Sequence, residues 1–364
     1  MVSKALVAAM YRKKLRELAR LGVDVVAVVP REWREGGSVQ HYEPGEDAGY
    51  ELIVSPMRWN GHFHVHTYPD LPGIVCRVRP DLVHLDEEPF NVATWLGARA
   101  AVRAGAQPIF FSWQNLRRRY PPPFSMVERA VYRLCESAIA GNEEVAEVLR
   151  SKGYRGKLSV VPQFGVDTDL FAPAPKPPGP FTVGFLNRLT PAKAPLLMLE
   201  AMERLPDCVH LEIVGDGPLH AEVARDVERR GLSARVRLRS RVPSSEMPQL
   251  MSTLEVVVLP SLTTPRWKEQ FGRVLIEAMA SGVPVVGSDS GEIPRVIGDA
   301  GIVVPEGDGP ALASAIARVH EDASLRADLS LRGRARAVDL FANRKIAERT
   351  LHAYEAALGQ SREG

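Results

Sequence analysis

From residue 269 to residue 286 the chain reads Glu-Gln-Phe-Gly-Arg-Val-Leu-Ile-Glu-Ala-Met-Ala-Ser-Gly-Val-Pro-Val-Val. A β-branched run at 256–260 precedes it. A helix is expected from near Phe271, a stop at Gly282 and another strand after that. The first amides of such a helix, at Phe271, Gly272 and Arg273, lack intrahelical acceptors and face whatever lies at its start, which suits a phosphate. Gly272 lets the backbone come close to such a group. Glu269 stands just ahead of the helix; Glu277 follows eight residues later, about two turns in and roughly on the same side. Carboxylates repel phosphate but accept hydrogen bonds from hydroxyls, so the pair points to ribose and sugar on either side of a phosphate. The plainer alternative makes Glu269 a helix cap and Glu277 a surface charge.

Arg188 and Lys193 fall in the loop after a strand-like run at 181–186. An Arg there suits bidentate phosphate contacts and a Lys acts as a point charge on a leaving oxygen. Gly215-Asp216-Gly217-Pro218 follows another such run and opens a helical stretch. His220 stands where G-x-G-x-x-G needs its third glycine, so a nicotinamide oxidoreductase is disfavoured. A turn lining a base or ribose is the better expectation, a plain strand–helix turn the alternative.

In the first half, His62, His64 and His66 alternate and would share one face of a strand. Such a trio could ligate zinc, line an acceptor cleft or only shape a loop, and no fourth ligand has recognisable spacing. Asp86-Glu87-Glu88 ends a strand-like run and could grip hydroxyls there or cap the next helix. Arg117-Arg118-Arg119, together with Arg12-Lys13-Lys14, could make a basic patch towards anionic lipid or a lipid diphosphate, or be a solvated loop.

These residues are positioned by strand-like runs that alternate with amphipathic stretches along the whole length. The runs are 23–29, 50–55, 81–85, 107–113, 137–141 and 158–162, then 181–186, 209–214, 235–238, 256–260, 283–287 and 302–304. Most are continuously apolar, as strands covered on both faces are, and the alternation implies parallel, doubly wound sheets. Five prolines lie between 173 and 180, a stiff connector. The expected division is therefore a first domain at 1–172, a linker at 173–180 and a second domain at 181–340. The first helix begins so early that only 2–7 remain for a first strand, which is either very short or starts upstream of Met1.

Composition agrees with a globular α/β protein of 364 residues. Apolar residues are 45% and charged residues 25%, and 46 basic residues against 44 acidic leave a net charge of +2, so no nucleic-acid partner is implied. The three cysteines, Cys76, Cys135 and Cys208, form no C-x-x-C pair and fit reduced thiols in a cytoplasmic protein. No apolar run reaches the ~18 residues of a membrane helix.

The spacing E-x7-E within F-G-x-x-x-x-E-A-M-A-x-G-x-P-V-V resembles the signature of the family-4 retaining glycosyltransferases. The resemblance extends to Asn187-Arg-Leu-Thr-Pro-Ala-Lys193, Gly215-Asp-Gly-Pro218 and Ser288-Asp-Ser-Gly-Glu-Ile-Pro294. It implies a GT-B fold, two Rossmann-like domains facing a central cleft, with the donor in the second and the acceptor mainly in the first. It further implies transfer from a nucleotide-diphosphate sugar with retention, no cofactor and no required metal. Arg188 and Lys193 match the residues that hold the donor diphosphate, Glu269 the one that contacts donor-sugar hydroxyls and Glu277 the one that binds ribose. Gln114 and Asn115 stand where family members commonly carry His-Asp, so a general base at that position is in doubt, although Gln can still bond a sugar hydroxyl. The usual Gly-Gly near the first turn is replaced by Ala8, Ala9 and Met10. The terminal segment 341–364 is expected to return to the first domain as a helix.

The acceptor is expected to be a glycan, a lipid-linked molecule or a small molecule, in polysaccharide biosynthesis, with peripheral contact at the inner membrane face. A non-catalytic nucleotide-sugar-binding protein and a sugar-nucleotide epimerase are the alternatives.

Overall fold

The computed structural model describes residues 1–35, 38–45 and 47–359. The chain forms two compact units, Met1–Gly165 with Asn343–Gly364, and Val166–Ala342. Residues 360–364 of the expected terminal helix lie outside the described residues. The proline-rich stretch 173–180 falls inside the second unit and does not lie between the two. Its Lys176 ammonium donates to the Leu254 carbonyl at 2.6 Å and to Glu255 at 2.7 Å, which fastens the run to that unit.

The first unit holds strands β1 (Val26–Pro30), β2 (Glu32–Glu35), β3 (Ser38–His41), β4 (Glu51–Ser55), β5 (Leu82–Leu85), β6 (Gln107–Ser112), β7 (Ser137–Ala140) and β8 (Lys157–Val160). β5 to β8 lie side by side and parallel, β1 pairs in parallel with β4, and β2 and β3 form an antiparallel hairpin. Val2 joins the two parallel groups, bridging Val28 on one side and Leu85 on the other. Its N–H donates to His84 O at 2.8 Å and its carbonyl accepts from Asp86 N at 2.9 Å. The short first strand is thus one residue at the centre of the sheet. A cavity of about 500 Å³ lies by the amino ends of β1 and β5, lined by Val26, Leu82, His84 and Tyr354 among others.

The last helix, Asn343–Leu358, buries Ile346, Ala347, Thr350 and Tyr354 and packs on the helix Lys13–Arg20 of the same unit. Tyr354 OH bonds His84 Nδ1 at 2.7 Å, and both side chains are buried. Tyr354→Phe is expected to destabilise the protein by about 1–3 kcal/mol, because a buried polar nitrogen loses its partner. Urea unfolding midpoints would show this, and an unchanged midpoint would mean the bond contributes nothing net.

The second unit carries β9 (Phe181–Leu186), β10 (Val209–Val214), β11 (Val236–Arg239), β12 (Val256–Leu259), β13 (Val285–Ser288) and β14 (Ile302–Val304). They form one six-stranded parallel sheet in the order β11-β10-β9-β12-β13-β14. All of β12 is buried, and Phe185, Leu189, Met198 and Ile213 fill the core beside it. Counted within the unit, the order is 3-2-1-4-5-6, the doubly wound arrangement whose direction reverses between its first and fourth strands. In such sheets ligands bind beyond the carboxyl ends of the strands at that reversal, which here lies between β9 and β12.

Candidate functional site

Both loops at the reversal lead to one carboxylate. After β9 the chain passes Arg188 and makes a short 3-10 turn, Pro191–Lys193. After β12 it reaches Ser261, and Leu262 N donates to Ala192 O at 2.8 Å, tying the two loops together. Glu269 Oε2 is paired with the Lys193 ammonium and accepts from Ser261 Oγ at 2.8 Å, and the carboxyl is buried. Lys193 Nζ also lies 5.0 Å from the centroid of the Trp267 ring. From the loop after β13, Glu292 N donates to Glu269 O at 3.2 Å. Three strand ends therefore converge on Glu269.

The helix beyond it runs Arg273–Ala280, starting two residues later than expected near Phe271. Gly272, at φ 82°, is the residue before it, a conformation glycine adopts without strain. Phe271 is drawn inward and meets the Phe341 ring edge-on at 5.7 Å. The helix cap is therefore Gly272, which makes no side-chain cap, while Glu269 serves Lys193 and Ser261. Glu277 is equally unlike a surface charge: it is buried and its Oε1 is 2.9 Å from Arg273 Nε. Burial raises its carboxyl above the ordinary value, against the opposing pull of Arg273.

Arg188 is exposed, and among the described residues its guanidinium makes no hydrogen bond or ion pair. The neighbouring Gly215 and Gly217 are fixed by close approach. A Cβ on Gly215 would stand 1.9 Å from Asn187 O. Leu189 N donates to Asp216 O at 3.0 Å, and Asp216 Oδ2 accepts from Arg241 N at 3.1 Å, so Asp216 stitches the loops after β9, β10 and β11. Gly215→Ala should overpack this junction and cost about 1–3 kcal/mol. Thermal unfolding would register it, and a wild-type melting temperature would contradict the contact.

In the first unit several expectations need correcting. His62, His64 and His66 lie in turns, where His66 N donates to His62 O at 3.1 Å, so they share no strand face. Among the described residues no group of three or more His, Cys, Asp or Glu side chains is placed to hold a metal ion. His66 is buried with Nε2 3.4 Å from Glu87. Glu87 is paired with Lys4 and accepts from Tyr68 OH at 3.1 Å. Burial alone would raise its carboxyl, but Lys4 and then His66 outweigh that and hold it at about 2. Glu87 is thus a packed ion-pair member, not a free grip for hydroxyls.

Gln114 is also engaged: Oε1 accepts from Lys152 Nζ at 2.9 Å and Nε2 donates to Tyr120 OH at 3.0 Å. Asn115 is buried beside it. The basic patch shrinks as well. Arg12 is buried on the Leu6 and Val7 carbonyls and Asp47, and Lys14 is buried on the Gln163 carbonyl, because both sit on the packed side of the first helical turns. Only Arg117, Arg118 and Arg119 are exposed together. The partners Ser261, Trp267, Tyr120 and Lys152 were not anticipated. For Ser261 the signal was present, a polar residue directly beyond a fully apolar strand.

A family model described as Glycosyltransferase Family 4 matches residues 10–170, and one described as Glycosyl transferases group 1 matches residues 166–336. The chain is 32% identical over 347 residues to the GDP-mannose-dependent alpha-(1-6)-phosphatidylinositol monomannoside mannosyltransferase of Mycolicibacterium smegmatis, covering 86% of each. It is 27% identical over 268 residues to the MMP alpha-(1->4)-mannosyltransferase of Mycolicibacterium hassiacum, covering 72% of this chain and 62% of that one. The match therefore spans less than two thirds of that relative's length. The fold is shared with Anabaena HepE, solved with UDP and glucose, at a TM-score of 0.74 and 20% identity, covering 98% of both chains. With both family models, the mycobacterial likeness and two Rossmann-like units in hand, the chain belongs to the group 1, family 4 glycosyltransferases of GT-B fold.

Proposed function

We propose that this protein is a retaining glycosyltransferase of the hexosyl type, independent of metal, that takes a nucleotide-diphosphate sugar as donor. The observation that carries this reading is the convergence of Lys193, Ser261 and Glu269 at the strand reversal, with the buried Glu277 about one turn along the adjoining helix. In the reaction the bond from the anomeric carbon to the β-phosphate oxygen breaks and its electron pair leaves with the diphosphate. Lys193 and the exposed Arg188 stabilise that charge, the part a magnesium ion plays elsewhere. Glu269 turns from Lys193 to the donor-sugar hydroxyls as the donor arrives, and Glu277 accepts from the ribose. The acceptor hydroxyl bonds to the anomeric carbon and passes its proton to the departing β-phosphate oxygen.

A glycan or lipid-linked acceptor fits the first unit. Beside the exposed Arg117–Arg119 run, the helix Phe124–Leu134 exposes Met126, Arg129 and Arg133, a basic and apolar surface suited to peripheral contact with an anionic membrane face from the cytoplasm. Among the described residues no helix is long and apolar enough to cross a membrane. The test is a thermal-shift panel of UDP-, GDP- and ADP-sugars, followed by turnover of the stabilising donor in EDTA. Stabilisation with release of nucleotide diphosphate is expected. Saturable binding without turnover would instead mark a binding protein, and a changed sugar on intact nucleotide an epimerase.

A further inference from the structure

Gln114 has no titratable group, and its Nε2 donates to Tyr120 while its Oε1 accepts from Lys152. The adjoining strand end offers another group. Glu88 lies three residues beyond β5, with Oε2 accepting from Ser112 Oγ at 2.7 Å and Oε1 from Trp113 N at 2.8 Å. Those donors fix the carboxyl at the carboxyl ends of β5 and β6, and each oxygen keeps a further lone pair. Its backbone carbonyl accepts from Asn91 N at 3.0 Å and Thr94 Oγ1 at 2.6 Å, so the residue is anchored at both ends.

Tyr120 and Tyr132 face this carboxyl, and further rings cluster about Tyr120. Phe90 and Tyr120 lie 4.2 Å apart, and His64 contacts Phe90 at 5.3 Å, Tyr120 at 5.5 Å and Phe124 at 4.9 Å. The same loop exposes Phe63 and leaves Trp59 60% exposed at φ 52°, a left-handed conformation that a bulky residue rarely takes. Apolar ring faces beside a few fixed polar atoms suit a sugar ring, which has one C–H face and a hydroxyl rim. Of the cations that face Glu88, Lys4 is paired with Glu87 and Lys152 with Glu128.

We propose that Glu88, facing Tyr120 and the ring cluster that Tyr120 forms with His64 and Phe90, reads the hydroxyls of a saccharide acceptor in a subsite built wholly from the first unit. This rests on the transferase reading for its role as acceptor site, though not for the binding itself. The groups facing Glu88 are Lys4 from the first loop, Lys152 from the end of the helix Glu143–Ser151, Tyr120 and, from the helix Phe124–Leu134, Tyr132. Burial pushes the Glu88 carboxyl up to about 7, with Ser112, Trp113 and the two lysines opposing. It therefore changes charge near neutrality. A raised carboxyl stabilises the fold fully below its unfolded value of 4.5, and that contribution is lost as pH rises through about 7.

The experiment is saturation-transfer NMR of methyl α-mannoside and methyl α-glucoside on the full chain, with wild type, Glu88→Gln and Tyr120→Ala, from pH 5.5 to 8.5. Wild type should transfer saturation to ring protons with a midpoint near pH 7. Both variants should lose the signal about tenfold or more, and Glu88→Gln should lose the pH dependence. Unfolding of Glu88→Gln should also lack the wild-type decline in stability between pH 5 and 8, which reports the carboxyl even if Tyr120→Ala fails to fold. Equal signals in wild type and Glu88→Gln, or none in wild type, overturn the proposal. No nucleotide sugar is present, so the donor reading succeeds or fails separately.

Discussion

Lys193→Ala is expected to lower turnover about a hundred- to a thousandfold, the equivalent of ~2.7–4 kcal/mol of barrier for one lost electrostatic stabiliser. The structure adds a second consequence. Lys193 is a counter-charge of the buried Glu269, so its removal takes that cation away and leaves the Ser261 hydroxyl bond in place. Burying a charge without its partner is costly, so the variant should also lose stability, and Lys193→Ala with Glu269→Gln should regain that stability but not turnover. Arg188→Lys should be nearly as damaging as Arg188→Ala, because a point charge does not reproduce a bidentate fork. The double variant at 188 and 193 should lose less than the product of the single losses, since both act on one leaving group. Steady-state transfer and denaturant midpoints on the same variants separate the two effects. Near-wild-type turnover in Lys193→Ala would make that lysine a purely structural partner of Glu269.

The second large effect divides the two glutamates. Glu269→Ala should reduce turnover of the complete donor far more than it weakens binding of the free nucleoside diphosphate. Glu277→Ala should weaken both, by roughly tenfold or more for the nucleotide, because a hydrogen bond to a charged group is worth ~1.5–3 kcal/mol. The placement motivates this: Glu269 lies ahead of the helix among three strand ends, and Glu277 lies on the helix beside Arg273. Calorimetric titration of UDP and GDP with each variant is the check. Equal losses of nucleotide affinity in both would contradict the division.

Much of this framework is legible in the amino-acid sequence. The parallel strands stand out because each central one is buried on both faces, as Val256–Leu259 is, and burial on both faces leaves an apolar run without polar alternation. The antiparallel pair β2–β3 carries no such run, since its residues Glu32–Glu35 and Ser38–His41 are largely polar. In the second unit Glu269, Gly272 and Glu277 lie close together in the chain, so spacing on a helix could speak for geometry.

The first unit offered no such shortcut. Whether Glu87 or Glu88 is free depends on Lys4, 83 residues from Glu87, and on Ser112, 24 residues from Glu88. Gln114 is likewise claimed by Lys152, 38 residues on. Nothing local to Asp86-Glu87-Glu88 distinguishes the carboxyl held at about 2 from its neighbour raised to about 7. Proline content makes 173–180 stiff and extended but does not say what it lies against; Lys176, bonded to the Leu254 carbonyl, decides that.

The most direct test of the central claim follows the anomeric carbon itself. A nucleotide sugar labelled with ¹³C at that carbon, chosen as the donor giving the largest thermal shift, is incubated with wild type and Glu269→Ala in EDTA and observed by NMR. The account predicts nucleotide-diphosphate release by wild type, with the label moving to a product of unchanged anomeric configuration. It predicts almost no release by Glu269→Ala, although that variant still binds the nucleotide. Inversion at the labelled carbon, or wild-type release by Glu269→Ala, would contradict it.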